Sequence, residues 1–316
     1  MTRVAIVIVT YNSALEIGAC LDALTGLSDV EIVVVDNASA DGTAAEVRRR
    51  GVPLIVSEKN SGFAGGVNKG VRDTTAPLVL LLNPDAIYES GINALAAEFE
   101  DAKVGAAGGM LTDARGVPQA GFTVRNLPGP GVLMLETLGL NALFPNNFLN
   151  WHYRCSGIDL LQSAIVEQPA GAFLMFPRKV WQNLGGFDER FWPVWFEDVD
   201  FCARVRQAGL IVKYNPAARA RHAGGHSVGT LSLEIRERYW YGSLLEYASK
   251  HFTPTANVGV CLATLLGVCP RAVRAFPRHG KKAFAVYGAV GRLAVVRLFR
   301  AVFKSFRGVF YFRGVF

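Results

Sequence analysis

The residues best equipped for chemistry crowd between Trp192 and Phe201, where Trp192 and Trp195 flank Glu197, Asp198 and Asp200 at the start of a helical pattern. Acids favour the first helical turn because of the macrodipole, so any one of the three has a plain structural explanation. Beside two aromatic faces they describe a sugar site with a carboxylate base, and a helix N-terminus favours the ionised form such a base needs. Asp85 follows the apolar run Leu78–Leu82 through Asn83 and Pro84. A carboxylate there cannot be buried unpaired. It either belongs to a simple Asn-Pro turn or holds Mg2+ or Mn2+, ions that bind through one or two carboxylates plus ligand phosphates. Asp36, directly after Glu31–Val35, can accept from a nucleobase N–H or a ribose hydroxyl, or the stretch Asp36, Asn37, Ser39 can cap a helix. Asn60 to Gly70 places four glycines at a loop-to-helix transition. Bare N–H groups there suit a diphosphate, and packing glycines explain the pattern equally well. His222 and His226 flank an Ala-Gly-Gly turn, although a lone histidine is usually structural.

These residues need strand ends to hold them. Val4–Val9 is a continuous β-branched run, as expected of a strand buried on both faces. Ser13 to Glu16 reads as a capping box opening a helix to about Leu24, and Asp41 precedes a helix reaching Arg50. Glu31–Val35, Pro53–Ser57 and Leu78–Leu82 continue the strand series, with a helix ending near Asp73 between the last two. This alternation predicts a parallel sheet with crossover helices, whose ligands bind outside the carboxyl ends of the strands. Thr10, Tyr11, Asn12, Asp36, Asn83 and Asp85 stand at those ends. Residues 113–165 are expected to form a long irregular connection. Beyond it the pattern predicts a strand at Ala172–Phe176, helices at Arg178–Leu184 and Asp198–Ala208, and short strands at Ile211–Tyr214 and Arg219–His222.

A chain of 316 residues is about two domains' worth and ample for a large core. With 51% hydrophobic and 19% charged residues, against roughly 25% charged in an ordinary domain, it leans apolar, and disorder is excluded. Its five scattered cysteines form no CxxC pair, which argues for a reducing compartment and against structural zinc. The first strand begins at Val4 with no leader, so no cleavable signal peptide is expected. No Asp or Glu follows Glu246, while 12 of the 33 Lys and Arg do. A body of net charge −5 with a +12 tail is not the pattern of a nucleic-acid binder; its natural partner is an anionic membrane surface. Val258–Val268 is an uncharged apolar core of 11 residues bracketed by prolines, short of the ~20 a bilayer span needs, so no transmembrane helix is expected. From Arg292 to Phe310, Val295, Val296, Leu298, Phe299, Val302, Phe303, Phe306, Val309 and Phe310 share one helical arc. Arg297, Arg300, Lys304 and Arg307 share the other, with no acid in the region to pair with them. That describes a basic amphipathic helix lying in a membrane interface, the alternative being a helix packed on the body.

Taken in order, Val7-Ile-Val-Thr-Tyr-Asn12, Val35-Asp-Asn-Ala-Ser39, Asn60-Ser-Gly-Phe-Ala-Gly-Gly-Val-Asn68, Leu82-Asn-Pro-Asp-Ala86, Gly171-Ala-Phe-Leu-Met175, Gly185-Gly-Phe-Asp-Glu-Arg190, Phe196-Glu-Asp-Val-Asp-Phe201 and His222-Ala-Gly-Gly225 resemble the inverting family-2 glycosyltransferases, the rhamnosyltransferase-like branch most closely. The resemblance implies a GT-A fold, an α/β architecture with a Rossmann-like, mostly parallel central sheet and flanking helices. Residues 1–250 would be the catalytic domain, with 1–112 binding the nucleotide sugar and 113–250 the acceptor, and 251–316 a helical basic tail. Thr10, Tyr11, Asn12 and Asp36 match the nucleoside pocket, and Asn60, Gly65 and Asn68 the donor side. Asp85 matches the last acid of the family's DxD metal motif, with Asn83 in place of the first. His222 matches the histidine that completes the metal or diphosphate contacts, Asp198 the catalytic base, and Glu197 its neighbour. Gly171, Trp192 and Trp195 fall on the acceptor side. The implied reaction moves a sugar, rhamnose from dTDP-rhamnose by branch resemblance, onto a lipid-linked or polysaccharide acceptor with help from Mg2+ or Mn2+. The implied place is the cytoplasmic face of the cell membrane, held peripherally, in cell-envelope glycan synthesis. A non-catalytic, membrane-docked sugar-nucleotide or lipid-binding subunit is the rival that Asn83 favours. A sugar-nucleotide pyrophosphorylase lacks support because no basic Gly-rich loop lies near the N-terminus.

Overall fold

A computed structural model describes residues 3–222 and 231–312, with side chains as far as Phe303. The apolar runs of the first half form strands β1 (Val4–Thr10), β2 (Val30–Asp36), β3 (Leu54–Val56) and β4 (Leu78–Leu82), paired in parallel in the order β3-β2-β1-β4. Crossover helices α1 (Ile17–Asp22), α2 (Thr43–Arg49) and α3 (Gly62–Asp73) join them. Side chains alternate along β1: Ala5, Val7 and Val9 enter one core cluster, and Val4, Ile6 and Ile8 the other. β1 is therefore apolar throughout because each face has a core to fill. α3 approaches β1 so closely that a Cβ at Gly66 or Gly70 would lie 2.5 Å from Val9 or Val7. The expected capping box does not form. Ser13 is buried beside the start of α2 and its hydroxyl has no partner, so the turn closes through backbone, from Ile17 N–H to the Ser13 carbonyl at 3.0 Å.

The chain continues with β5 (Ala86–Ser90), α4 (Ile92–Ala97), β6 (Val104–Thr112) and β7 (Val124–Arg125). Then come α5 (Pro130–Leu138), α6 (Leu140–Leu143), α7 (Phe148–Tyr153), β8 (Ala164–Val166), β9 (Gln168–Pro169) and β10 (Phe173–Pro177). α8 (Arg178–Asn183), α9 (Glu197–Gln207) and β11 (Ile211–His222) follow. The main sheet has nine strands in the order β3-β2-β1-β4-β10-β6-β11-β5, with β8 on β11. It is mostly parallel, since only β10, β5 and β8 run against the others. β11 is one strand, not the two expected, with its register shifting between Asn215 and Arg219.

Contacts divide the chain into two compact units, Met1–Leu127 with Arg154–Thr230, and Pro128–Tyr153 with Leu231–Phe316. The boundaries expected at 112 and 250 do not coincide with this division, because α5–α7 pack with the C-terminal helices. Nor is 113–165 a structureless connection, since it holds those helices and β7 and β8. The second unit adds α10 (Leu233–His251), α11 (Pro254–His279) and α12 (Lys282–Phe312). α11 runs unbroken through Pro270 and Pro277, so the prolines do not bracket it. By length and composition it is long and apolar enough to cross a bilayer, which overturns the ground on which a span was discounted. Part of its surface is covered by α5. A Cβ at Gly259 would meet Met134, one at Gly267 would strike the Thr137 carbonyl, and Arg271 Nε donates to that carbonyl at 3.2 Å. On α12, Ala283, Val286, Tyr287, Val290, Ala294 and Ala301 are buried, while Val295, Val296, Phe299 and Phe303 of the expected apolar arc face solvent. Arg297, expected to lack an acidic partner, pairs with Glu246 at 2.6 Å. The side chains of Lys304, Phe306, Arg307, Val309 and Phe310, and all of His226, lie outside the described residues.

Candidate active site

The sheet topology gathers the candidate residues along one edge. β1, β2 and β4 end together, so Thr10 and Asp36 are ladder partners and Asn83 follows on the neighbouring strand. β10 runs against β4, which brings Gly171 and Ala172 to the same edge; Asn83 N–H donates to the Ala172 carbonyl at 3.1 Å. β11 also ends there, with His222 opposite Ala86, the residue after Asp85.

Asp198 is the second residue of α9. Its Oδ2 accepts from Gly171 N–H at 2.8 Å and from Gln168 Nε2 at 3.1 Å, and its Oδ1 accepts from Val199 N–H at 2.8 Å. Three donors on one carboxylate fix its position and orientation. Gly171 thus does something other than the acceptor contact expected of it. It is buried, and a Cβ there would stand 2.8 Å from the Asp198 Cβ. Gln168 was not foreseen; a polar residue among Val166, Pro169 and Ala170, three before Gly171, was the available signal. Glu197 is 5% exposed and, among the described residues, its Oε2 has no hydrogen-bond partner. Burial above all, and then the Asp198 charge, hold its carboxyl well above the usual carboxylate range. Burial thus favours the neutral form of Glu197. Asp200 is fully buried against Arg204 at 2.8 Å and belongs to the core of α9.

The turns after β1 and β2 are laced together. Thr10 is buried, and its hydroxyl lies 3.4 Å from both the Val35 carbonyl and Asp36 Oδ1. Asp36 Oδ1 also accepts from Ser39 N–H at 3.3 Å and from the Ser39 hydroxyl, so Asp36 closes a local turn through one oxygen while the other keeps its acceptor capacity. Asn12 N–H donates to Ser39 Oγ and Asn12 Oδ1 accepts from Ala40 N–H, each at 2.8 Å. Tyr11 between them is 45% exposed, a ring face open to a planar ligand. Asn37, buried and considered above only as a helix cap, clamps the glycine-rich turn. Its Nδ2 donates to the Gly62 carbonyl at 2.8 Å, and its Oδ1 accepts from Ser61 N–H at 3.0 Å and Ser61 Oγ at 2.9 Å. Asn60 Oδ1 accepts from Gly62 N–H at 2.8 Å, and the Asn60 carbonyl accepts from Trp192 Nε1 at 3.2 Å. Gly62 has φ +77° with the Trp192 ring and Pro193 where a Cβ would be, so the aromatic loop before α9 lies against this turn. Trp192 stays about half exposed and Trp195 is half-buried.

Two donor-side expectations are corrected. Asn68 is buried with its amide fully used: Nδ2 donates to the Phe187 carbonyl and to Glu189 Oε1, each at 2.9 Å, and Oδ1 accepts from Trp181 Nε1 at 3.0 Å and Phe187 N–H at 2.9 Å. It braces α3 against the Gly185–Arg190 loop and has no capacity left for a ligand. Gly65 is buried one turn into α3 with Ser61 where its Cβ would be, a packing position like Gly66.

Asp85 Oδ1 and His222 Nε2 lie 3.3 Å apart, both side chains nearly buried, and among the described residues neither ring nitrogen of His222 makes a hydrogen bond. The imidazole is stacked on Phe122, with centroids 5.2 Å apart and planes 6° from parallel. A carboxylate beside an imidazole with orphaned nitrogens fits a divalent metal that also takes ligand phosphates. Among the described residues no group of three or more His, Cys, Asp or Glu could hold one by protein ligands alone. Asn83 adds no acid, and the Cys20 thiol beside it is pushed up by burial and then by the Asp85 charge, far from thiolate.

Comparison with known proteins identifies the family. The family profile described as glycosyl transferase family 2 matches residues 5–154, and that described as the N-terminal domain of galactosyltransferase matches 165–225. The N-acetylglucosaminyl-diphospho-decaprenol L-rhamnosyltransferase of Mycobacterium tuberculosis is 30% identical over 247 residues, 71% of this chain and 77% of its own. The O-antigen chain rhamnosyltransferase WbaN of Salmonella anatum is 24% identical over 209 residues, 62% of this chain and 58% of its own. The mannosyltransferase PcManGT of Pyrobaculum calidifontis, solved with GDP-Man and Mn2+, shares the fold with a TM-score of 0.53 over 96% of this chain and 86% of its own, at 18% identity. The chain therefore belongs to glycosyltransferase family 2, in its rhamnosyltransferase-like branch with the GT-A fold, and is a glycosyltransferase.

Proposed function

We propose that this enzyme transfers a sugar, rhamnose from dTDP-rhamnose, to a hydroxyl of a lipid-linked or glycan acceptor in cell-envelope glycan synthesis, with inversion at the anomeric carbon. The observation that carries the reading is Asp198, held by Gly171, Gln168 and Val199 at the carboxyl edge of the sheet. Asp198 takes the acceptor hydroxyl proton as that oxygen attacks, and the bond to the departing nucleoside diphosphate breaks in the same displacement. Asp36 and Tyr11 receive the nucleoside. Trp192, resting on the Asn60–Gly62 turn, offers its exposed ring to the sugars. Asp85 and His222 would hold Mg2+ or Mn2+, which supplies charge stabilisation for the leaving diphosphate. The names of the Mycobacterium and Salmonella relatives support the donor sugar, and the first also supports a lipid-linked acceptor. Residues 1–112 supply most of the donor side in this reading, and the position of Trp192 and Asp198 supports an acceptor side after residue 113. The basic C-terminal helices dock the enzyme peripherally on the anionic cytoplasmic face of the membrane, through exposed Arg292 and Arg300 beside Val295 and Phe299.

The test is a screen of nucleotide sugars for release of nucleoside diphosphate, with the anomeric configuration of the product read by NMR. Asp198→Asn is expected to lower kcat by ~10²–10⁴-fold with donor binding kept. Full activity in that variant, or a retained anomeric configuration, would refute the mechanism.

A further inference from the structure

The second unit presents an apolar surface that its basic helices do not account for. Leu143, Phe144, Phe148, Leu149 and Trp151 all stand out to solvent, Phe148 at 75% exposure. Soluble domains seldom leave so many large apolar groups together without a partner for them. No Asp, Glu, Lys or Arg occurs from Thr137 to Tyr153. Two polar side chains of the segment, Asn147 and Asn150, turn back onto it, while Asn146 is exposed. Asn147 Nδ2 donates to the Phe144 carbonyl at 2.8 Å and to Asn141 Oδ1 at 3.0 Å, Asn147 Oδ1 accepts from Asn150 N–H at 3.0 Å, and Asn150 Nδ2 donates to the Pro145 carbonyl at 2.7 Å. The turn between α6 and α7 therefore carries carbonyls that are satisfied from within while its apolar side chains point out. A segment entering the low-dielectric part of a bilayer must do just this, because an unpaired backbone group is heavily penalised there.

The unit that carries the turn has fourteen Lys and Arg against four Glu, a net +10. A second copy of the same unit would bring like charge to the contact, whereas an anionic bilayer complements it. We infer that Leu143–Trp151 is a second membrane contact, lowering Leu143, Phe144 and Phe148 into the headgroup–acyl boundary of an anionic lipid bilayer. The inference rests on the membrane-docked reading above but on a different segment and a different force. Arg292 and Arg300 act through charge, which salt screens, and the turn acts through apolar burial, which it does not.

Full-length protein carrying Leu143→Ser, Phe144→Ser and Phe148→Ser together is compared with wild type and with Arg292→Glu/Arg300→Glu. The readout is co-sedimentation with vesicles of phosphatidylglycerol and phosphatidylcholine in low and high salt. The triple variant is expected to lose roughly a hundredfold in partition, taking about a full tenfold for each of two side chains' worth of insertion, at both salt levels. The charge variant is expected to lose partition in low salt only. Unchanged donor turnover by water in the triple variant shows that it folds. A fluorophore on Phe148→Cys, with Cys155→Ser and Cys269→Ser, is expected to shift to the blue on vesicles and to be quenched by brominated acyl chains. A triple variant that pellets like wild type with no quenching at position 148 overturns the inference and leaves the basic helices as the anchor. A charge variant indistinguishable from wild type, beside a triple variant that fails to pellet, overturns the helix reading and supports this one. Dimers of wild type that the triple variant abolishes, with pelleting unchanged, assign the surface to self-association and overturn it.

Discussion

Gly171→Ala tests whether Asp198 is set by its backbone partner. The added Cβ would stand 2.8 Å from the Asp198 Cβ, 3.3 Å from Cγ and 3.1 Å from Oδ2. Ordinary contact starts near 3.4 Å, so Asp198 must retreat by about 0.6 Å or more, and its bond from Gly171 N–H lengthens with it. Gly171 does not have a positive φ, so alanine adds no backbone strain and the steric push is the whole perturbation. General-base catalysis is steep in geometry: a misplacement of ~1 Å is worth about 10²-fold. The expected result is a fall in kcat on the order of 10²-fold, KM for the donor within about twofold of wild type, and a stability loss of ~1–3 kcal/mol from overpacking. Gln168→Ala removes a donor from the same oxygen without pushing it, and is expected to cost about tenfold. The assay is release of nucleoside diphosphate with and without acceptor, beside a thermal melt. Wild-type kcat in Gly171→Ala would refute the reasoning, and so would a loss of kcat fully accounted for by unfolding.

Asn68→Ala leaves the Trp181 N–H and the Phe187 backbone groups without their partner; it is expected to cost about 2–4 kcal/mol in denaturant unfolding while donor KM in the folded fraction stays put. Glu197→Gln tests the protonated reading. A buried acid whose folded pKa lies above its unfolded value binds more protons folded than unfolded, so wild-type stability falls as pH rises from about 4.5 toward the raised value, and the neutral amide is expected to flatten that fall in melts across pH. The same variant is expected to keep most of its turnover, since an amide matches the neutral form that burial favours. With Asp85 as the one carboxylate and Asn83 in place of an acid, calorimetry is expected to find Mn2+ binding weak to the free protein and strengthened by nucleoside diphosphate, and full activity in excess chelator would remove the metal role.

The catalytic fold was legible where the sequence obeys simple periodicity. Val4–Val9 and Leu78–Leu82 are buried on both faces, and a strand with two cores to fill must read as an unbroken apolar run. The edge that gathers Thr10, Asp36, Asn83 and Asp85 follows from that parallel order alone. β6 was missed for the opposite reason. Its sequence, Val-Gly-Ala-Ala-Gly-Gly-Met-Leu-Thr, has almost no β-branched residues, although all nine are buried. Large neighbours exclude side chains from it: a Cβ at Gly105 would meet Val205, one at Gly108 would meet Pro169, and one at Gly109 would strike the Phe173 ring. Composition there reports the neighbours' bulk and not the strand's own preference, so no local window could reveal it.

The candidate site shows the same divide between local pattern and tertiary partner. Asp198 and His222 stand out in the sequence because their chemistry is legible as a residue type. Gln168 offers only the weak signal of a polar residue in an apolar stretch, and Phe122 none, until the fold sets them against Asp198 and His222. Asn68 shows the converse. Its place in a motif beside the glycines suggested a ligand contact, yet all four of its amide bonds go to Trp181, Phe187 and Glu189, more than a hundred residues away. An asparagine so placed is fixed by the need to satisfy buried polar groups across two elements. The C-terminal helices extend the point from single residues to a whole face. Helical arcs from sequence separate apolar from cationic positions correctly, but they do not say which arc meets protein. In α12 the inner face is taken by Ala283, Val286, Tyr287, Val290, Ala294 and Ala301, whose alanines let neighbouring helices approach closely. The larger Val295, Phe299 and Phe303 are thereby turned outward. Packing thus consumed the weaker apolar arc and left the stronger one exposed.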